Sequence, residues 1–358
     1  MRNTFGNNVT VTLFGESHGE AIGAVLDGMR AGVKIDLELI KGQLDLRKPV
    51  GAISTSRVEA DEFKILSGVF NGYTTGAPIC IIIPNQNIKS KDYSEMMSKA
   101  RPSHADYVAN IKYNGFNDYR GGGHFSGRNT AALVAAGAIA ISALKEKGIS
   151  IGTHISRCAG IDDASFSDLE SEINLLNKKQ FAVLDDKKGE LMEQNIMNAK
   201  LEGDSVGGVL ETAVTGLPVG LGEPWFDSAE SMLSHALFSI PAIKGVEFGA
   251  GFKIADMTGS TANDAFYMDN GNVRTKTNNN GGINGGITNG MPVIFRCAVK
   301  PTPTISKEQN TVDFLNREDV VLAAKGRHDP CIVHRARVVV DSMTALVIYD
   351  LLSGSAEW

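Results

Sequence analysis

Asp118-Tyr119-Arg120-Gly121-Gly122-Gly123-His124-Phe125-Ser126-Gly127-Arg128-Asn129-Thr130-Ala131 is the stretch around which the chain is organised. Three consecutive glycines allow backbone with positive φ and let a ligand approach closely. After Arg128 the chain becomes an apolar, alanine-rich segment. This reads as a core helix, with Gly148 at its C-terminal end. A glycine loop that opens a helix presents backbone N–H groups and the positive end of the helix dipole, which suits a phosphate. Arg120 and Arg128 strengthen that reading, because a planar guanidinium can grip phosphate with two hydrogen bonds. A tight turn before a helix would explain the glycines alone. It does not explain two arginines, a histidine and a serine packed beside them.

Upstream, Asn8 to Phe14 alternates apolar and threonine positions and reads as a half-buried strand ending in Gly15-Glu16-Ser17-His18-Gly19. Asp36 to Leu46 reads as a helix capped by Asp36 and stopped before Pro49. Phe63 to Phe70 and Ala77 to Ile83, joined through Asn71-Gly72, read as a hairpin. Residues 84–117 read mostly as loop and carry Arg101-Pro102-Ser103-His104-Ala105-Asp106. Downstream come a charged helix near 186–200, a strand near 205–216, a helix near 228–238 and a strand pair near 245–256. The asparagine- and glycine-rich residues 270–290 read either as a solvated loop or as one that wraps a ligand. A buried strand from Met291 to Val299 and a helix from Val333 to Leu352 complete the chain. The mixture is α+β with hairpins, and no linker marks a boundary, so a single domain over 1–358 is expected.

Composition narrows the function. The chain has 358 residues, 42% hydrophobic and 21% charged, with net charge −6. An acidic surface argues against non-specific nucleic-acid binding. No uninterrupted apolar run approaches the roughly 18 residues of a membrane span. The N-terminus has no apolar h-region, and the four cysteines have no paired spacing, so a reducing cytoplasm is expected. Arginine concentrated in glycine-rich loops of an acidic chain points to a pocket for a small anion.

Gly15-Glu16-Ser17-His18-Gly19 matches the G-x-S-x-G nucleophile elbow, but it is not followed by a clear helix. There is no G-x-G-x-x-G after a strand, no P-loop lysine, and no His/Cys spacing that suggests a metal. His18 and His104 each sit beside a serine, and either could donate a proton near neutral pH. Asp329 could act as a base, or simply pair with Arg327 or Arg335. From the residues alone, the reading is an enzyme acting on a small phosphorylated anion. A serine hydrolase and a non-catalytic flavin- or phosphate-binding protein are the alternatives.

Taken together and in order, these loops resemble the chorismate synthase family. The resemblance is carried by Gly15–Gly19, Lys64–Phe70, Arg101 with His104–Tyr107, Asp118–Gly123, Gly220–Pro224, Lys244–Glu247, Lys300–Thr302 and Gly326–Pro330. It implies a β-α-β sandwich with helices between antiparallel sheets, assembled as a homotetramer. It further implies anti-1,4-elimination of phosphate from 5-enolpyruvylshikimate 3-phosphate to give chorismate. That reaction requires reduced FMN without net redox change. By position, His18 would protonate the leaving phosphate beside Ser17, His104 would protonate the reduced flavin, and Asp329 would help remove the ring proton, with Ser126 also catalytic. Arg47, Arg101, Arg128 and Arg327 would hold the substrate. The flavin would lie against His124, Phe125, Ser126, Pro241, Ala242, Gly285, Lys300, Pro301, Thr302, Pro303, Thr304 and Arg327. Arg47 is the remaining candidate for NADPH, because Ala52 stands where some members carry an arginine. External flavin reductase, with NADPH as indirect reductant, is therefore the expected source of electrons. Phe125 stands where many members have serine and is expected to pack beside the flavin.

Overall fold

The computed structural model describes residues 3–49, 51–55, 59–86, 97–323 and 329–355. In chain order its strands are β1 (Thr4–Phe5), β2 (Thr10–Gly15), β3 (Ala21–Asp27), β4 (Lys64–Ile65), β5 (Val69–Phe70), β6 (Tyr73–Thr74), β7 (Ile79–Pro84), β8 (Ser150–Cys158) and β9 (Ile161–Asp162). They continue as β10 (Gly208–Thr215), β11 (Ile243–Phe248), β12 (Phe266–Asp269), β13 (Asn272–Thr275), β14 (Ile283–Asn284), β15 (Ile287–Thr288), β16 (Val293–Val299), β17 (Gln309–Asp313) and β18 (Glu318–Leu322). The helices are α1 (Leu37–Arg47), α2 (Asp106–Lys112), α3 (Thr130–Glu146), α4 (Leu169–Leu176), α5 (Asp186–Leu201), α6 (Ala229–Ser239), α7 (Gly259–Ala262) and α8 (Val333–Ser353).

Two antiparallel five-stranded sheets, in orders β1-β2-β3-β7-β4 and β11-β16-β10-β8-β9, enclose the helical layer. Period-2 burial drives the first: Ile79, Ile81 and Ile83 of β7 all point inward and are fully buried. Helix α3 packs on β2, β3 and β7, α8 packs on β8 and β10, and the two helices pack on each other. This is the expected α+β sandwich. The alanine-rich composition of α3 explains how it can lie so close to α8. At Gly137 a Cβ would fall 2.4 Å from Ser342 Cβ, so the crossing tolerates only glycine. The window Gly127–Glu146 is long and apolar enough to cross a membrane, but 78% of it is buried inside the protein as this core helix. Helix α8 is buried on nearly every face. Its charges are therefore paired: Arg337 with Asp341 at 3.1 Å, and Asp341 with the Thr153 hydroxyl at 2.6 Å.

Most expected elements stand. Asp36 caps α1 by accepting from Leu39 N, and Gly148 follows α3 with φ 76°. The hairpin through Asn71-Gly72 is present with both residues left-handed, at φ 51° and 81°. It is split into an inner β5–β6 ladder and an outer β4–β7 ladder. The strand pair expected near 245–256 is not formed. Only β11 is a strand, pairing with β16, and Gly251–Asp256 coil into a 3-10 turn. The cause is Gly249, left-handed and pressed against the Asn279 and Gly281 backbone, which turns the chain away. Residues 270–290 are not one loop: the short hairpins β12–β13 and β14–β15 occupy most of the stretch. Helix α2 interrupts the region expected to be loop.

Candidate active site

The glycine run is the wall on which the site is built. Gly121, Gly122 and Gly123 have φ of 59°, 83° and 54°, all left-handed. A Cβ on Gly121 would fall 2.2 Å from the His18 ring and 3.1 Å from Ser17 Oγ. One on Gly122 would lie 3.4 Å from the His104 ring. The two candidate acids, 86 residues apart in the chain, thus abut neighbouring glycines. Ser17 and His18 are buried in the turn between β2 and β3, and Ser17 N donates to Gly123 O at 3.1 Å. Because a strand follows Gly19, the strand–turn–helix context of a nucleophile elbow is missing, and the serine-hydrolase alternative falls.

His104 is held from the other side. Its Nδ1 lies 2.7 Å from Asp106 Oδ1. Arg101 grips the same carboxylate through Nε at 2.8 Å and Nη2 at 2.7 Å, and reaches Thr304 Oγ1 at 3.3 Å. Burial opposes ionisation of Asp106. The hydrogen bonds from Arg101 and His104 outweigh it and hold the carboxyl well below its usual range. Arg101, expected to bind substrate, is buried against Asp106 and does not line the cavity.

Two further expected arginines meet at Asp61, a residue that nothing in its charged neighbourhood Glu59-Ala60-Asp61-Glu62 singled out. Arg47 Nη1 and Arg128 Nη1 both donate to its carboxylate, and Asp61 itself is left-handed at φ 55°. Arg47 also donates to Thr130 Oγ1 at 2.9 Å and Gly127 O at 2.9 Å, and Arg128 to Asn85 Oδ1 at 3.0 Å. Burial pushes the Arg47 guanidinium down to about 9, with Asp61 opposing and Arg335 and Arg128 adding to the shift. Asp329 accepts from Thr55 N at 2.8 Å and from Arg335 Nη1 at 2.6 Å. Of its two candidate ion-pair partners, Arg335 is the one seen. Arg327 lies outside the described residues.

These groups surround a cavity of about 880 Å³, toward the upper end of the ~300–1,000 Å³ usual for small-molecule sites. Arg47, Arg128, His104, His124, Phe125, Ser126, Pro241, Ala242, Lys300, Thr302, Pro303, Thr304 and Asp329 line it, as expected. Ser17, His18, Pro301 and Gly285 do not; Gly285 turns the β14–β15 hairpin elsewhere. Lys48, Lys244, Arg335 and Glu59 line it without having been singled out as ligand contacts, although Lys244 sits in one of the family-like segments. Among the described lining residues, six lysines and arginines face three carboxylates, so the cavity is cationic inside an acidic protein. Burial, with the Lys244 ammonium adding, holds Lys300 below its usual value. Besides Asp61, Ser103 and Ala242 on the wall are left-handed at φ 59° and 77°, backbone strain of the kind stored at functional sites.

Antiparallel sheets closed over buried helices, with histidines and arginines converging on one cationic cavity, define an enzyme for a small polyanion. The sequence model of the family described as chorismate synthase matches residues 9–352. The chain is 45% identical over 353 residues to the chorismate synthase of Thermococcus kodakarensis, spanning 99% of this chain and 98% of that one. It is 47% identical over 352 residues to that of Parabacteroides distasonis, spanning 98% and 97%. A crystal structure of a chorismate synthase aligns with TM-score 0.76 at 32% identity, covering 97% of this chain and 92% of the other. The chain belongs to the chorismate synthase family. Its activity is that of a carbon–oxygen lyase of aromatic amino-acid biosynthesis, eliminating phosphate from 5-enolpyruvylshikimate 3-phosphate to give chorismate.

Proposed function

We propose that the cationic cavity performs this elimination with reduced FMN bound beside the substrate. The single observation that carries the reading is a cavity rich in arginine and lysine with His104 on its wall, His104 and the buried His18 abutting the adjacent glycines Gly122 and Gly121. Arg47 and Arg128, joined by Arg327, bind the phosphate and carboxylates, and Asp61 fixes the first two guanidiniums side by side. His18, with Ser17 beside it and its ring seated where a side chain on Gly121 would be, protonates the departing phosphate. His104 exchanges a proton at Nε2. Asp329, anchored by Thr55 and Arg335, receives the ring proton. Ser126 steadies Arg128 by accepting from its backbone N–H at 3.2 Å.

Several features suit a flavin. Phe125 offers a 40%-exposed ring on the wall that left-handed Ala242 also lines, and the buried Thr302 Oγ1 has no hydrogen-bond partner among the described residues. His124, Pro241, Lys300, Pro303 and Thr304 complete the proposed contacts; Pro301 and Gly285, which do not line the cavity, are left out of them. When bound, reduced FMN supplies electron density to the allylic system as phosphate leaves.

Ala52, where some members carry an arginine, favours NADPH as an indirect reductant working through a separate flavin reductase. One apolar core spans both sheets, in keeping with a single domain over 1–358. Trp225, Phe226 and Phe252, each more than 80% exposed, offer apolar surface for a homotetramer. Free cysteines suit the cytoplasm.

The test is anaerobic turnover of 5-enolpyruvylshikimate 3-phosphate with photoreduced FMN. Chorismate should form only with reduced flavin, and His18→Ala should slow it about 10²–10⁴-fold. Full-rate turnover by His18→Ala, or turnover without flavin, would overturn the reading.

A further inference from the structure

One side-chain amide joins the turn that carries His18 to the guanidinium of Arg128. Strand β7 runs antiparallel to β3 with Pro84 opposite Ala21, so the chain leaves β7 beside the turn that opens β3. The ladder runs one bond further, Asn85 N donating to Glu20 O at 3.0 Å, which brings the Asn85 side chain against that turn. Its Nδ2 donates to Glu16 O at 3.0 Å and to Gly19 O at 2.9 Å, the two carbonyls that bracket Ser17 and His18. Its Oδ1 accepts from Arg128 Nε at 3.0 Å. The amide fits in this orientation alone: a flip would set its oxygen against two carbonyls and its N–H groups against a guanidinium that can only donate. The turn is also held by Ser17 N donating to Gly123 O at 3.1 Å, with the His18 ring against Gly121. Arg128 gives a second N–H, from Nη1, to the Asp61 carboxylate and a third, from Nη2, to Pro84 O at 3.4 Å. That leaves two of the five guanidinium N–H groups for a ligand.

We infer that Asn85 is a positioning residue that sets the proton donor His18 relative to Arg128, so that the phosphate gripped by Arg128 departs against the His18 ring. This rests on the reading of His18 as the proton donor. Asn85 does not line the cavity, so it acts through the two groups it joins and not on the substrate. Those groups belong to separate elements: His18 to the turn between β2 and β3, Arg128 to the turn Gly127–Asn129 that opens α3. A proton passes to the leaving group only when donor and acceptor lie within about 2.6–3.2 Å, so the two elements need a shared reference. An amide suits that task beside Arg128. Asp61 already pairs with the guanidinium, and a neutral acceptor orients it without taking more of the charge that a phosphate must meet.

The test is a double-mutant cycle, read in kcat and KM for 5-enolpyruvylshikimate 3-phosphate with photoreduced FMN. Asn85→Ala should lower kcat about 10–100-fold, the scale of a small misplacement of a catalytic group. KM should stay within about threefold, because Asp61 and Pro84 O still hold Arg128. In the His18→Ala background the same substitution should change kcat by no more than about twofold, since the group it positions is gone. A merely structural asparagine would cost the same factor in both backgrounds. Asn85→Asp serves if the alanine variant does not fold. It is isosteric, keeps an acceptor for Arg128 Nε and loses both N–H bonds to the turn, and its kcat loss should likewise vanish without His18. Equal kcat losses with and without His18, or full kcat in Asn85→Ala, overturn the inference and leave His18 as the proton donor. Full-rate turnover by His18→Ala overturns the reading of His18 itself, and the inference falls with it.

Discussion

At the scale of single residues, Gly121 and Gly122 share a conformation but differ in what they face. Both are left-handed, so alanine costs about 1–2 kcal/mol of backbone strain at either. At Gly121 the new Cβ would also fall 2.2–2.3 Å from His18 ring atoms, and the ring must swing away. At Gly122 it would meet the His104 ring at 3.4–3.5 Å, close to ordinary contact. Gly121→Ala should therefore cut kcat nearly as deeply as His18→Ala while melting only a few degrees lower. Gly122→Ala should lose similar stability and far less activity. Equal kcat losses in the two would show that backbone strain, not displacement of His18, governs the loop. Sequence reading singled out both histidines and the glycines but not which glycine served which histidine, because that pairing depends on the β2–β3 turn folding back under the run. It missed Asp61 altogether, since an aspartate in a charged loop carries no local mark of the two arginines it will bridge.

Among the elements, the second sheet holds a row of charges that runs straight across its strands. The register sets His154 of β8 opposite Glu211 of β10, Glu211 opposite Arg296 of β16, and Arg296 opposite Glu247 of β11. Each neighbour pair is bonded, at 3.1, 3.1 and 2.6 Å, and Asp163 closes the end on His154 Nδ1 at 2.8 Å. Such cross-strand pairs fix register as well as adding stability. Burial works against a charged His154, but the bonds to Asp163 and Glu211 outweigh it and raise its titration above the usual 6.5. Stability from a raised group is complete below 6.5 and is lost as pH rises through the folded value. Asp163, Glu211 and Glu247 are also opposed by burial but end up lowered by their partners, so their contribution is present above the usual carboxylate range and is lost on acidification. Unfolding free energy followed upward from about pH 6.5 should decline in the wild type, and His154→Gln should lower it by about 3–5 kcal/mol and flatten that decline. An unchanged alkaline slope in the variant would rule out the imidazolium as its cause. Element by element, α1, α3 and α8 were legible because caps, glycine stops and apolar composition agree locally. Strands β3 and β8 were not, since burial on both faces erases the alternation that marks a strand.

For the whole molecule, the order of the layers is a long-range property, and one clamp shows why no local pattern announces it. Asp350, near the end of α8, is buried and accepts from Asn7 N at 3.0 Å, Asn8 N at 2.6 Å and Val9 N at 2.8 Å. The Asn8 side chain returns to Asp350 O at 3.3 Å. The residues joined are more than 340 positions apart, so an aspartate in an apolar helix reads from sequence only as an anomaly. The sandwich was legible through the resemblance of many ordered motifs, not through periodicity. The clamp matters to the site because Asn3, Thr4 and Phe5, immediately before it, form part of the cavity wall. Asp350→Ala strands three backbone N–H groups, each worth about 1–3 kcal/mol when buried, with the two part-buried ones at the low end. Denaturant unfolding should show a loss of about 3–5 kcal/mol. Asp350→Asn, which keeps one acceptor oxygen, should fall between it and the wild type. Because the freed segment also walls the cavity, KM for the phosphorylated substrate should rise in the same order while kcat changes less. A stability loss in that order with KM untouched would mean that α8 and the other walls alone hold the cavity's shape, and that the N-terminal strand only covers it.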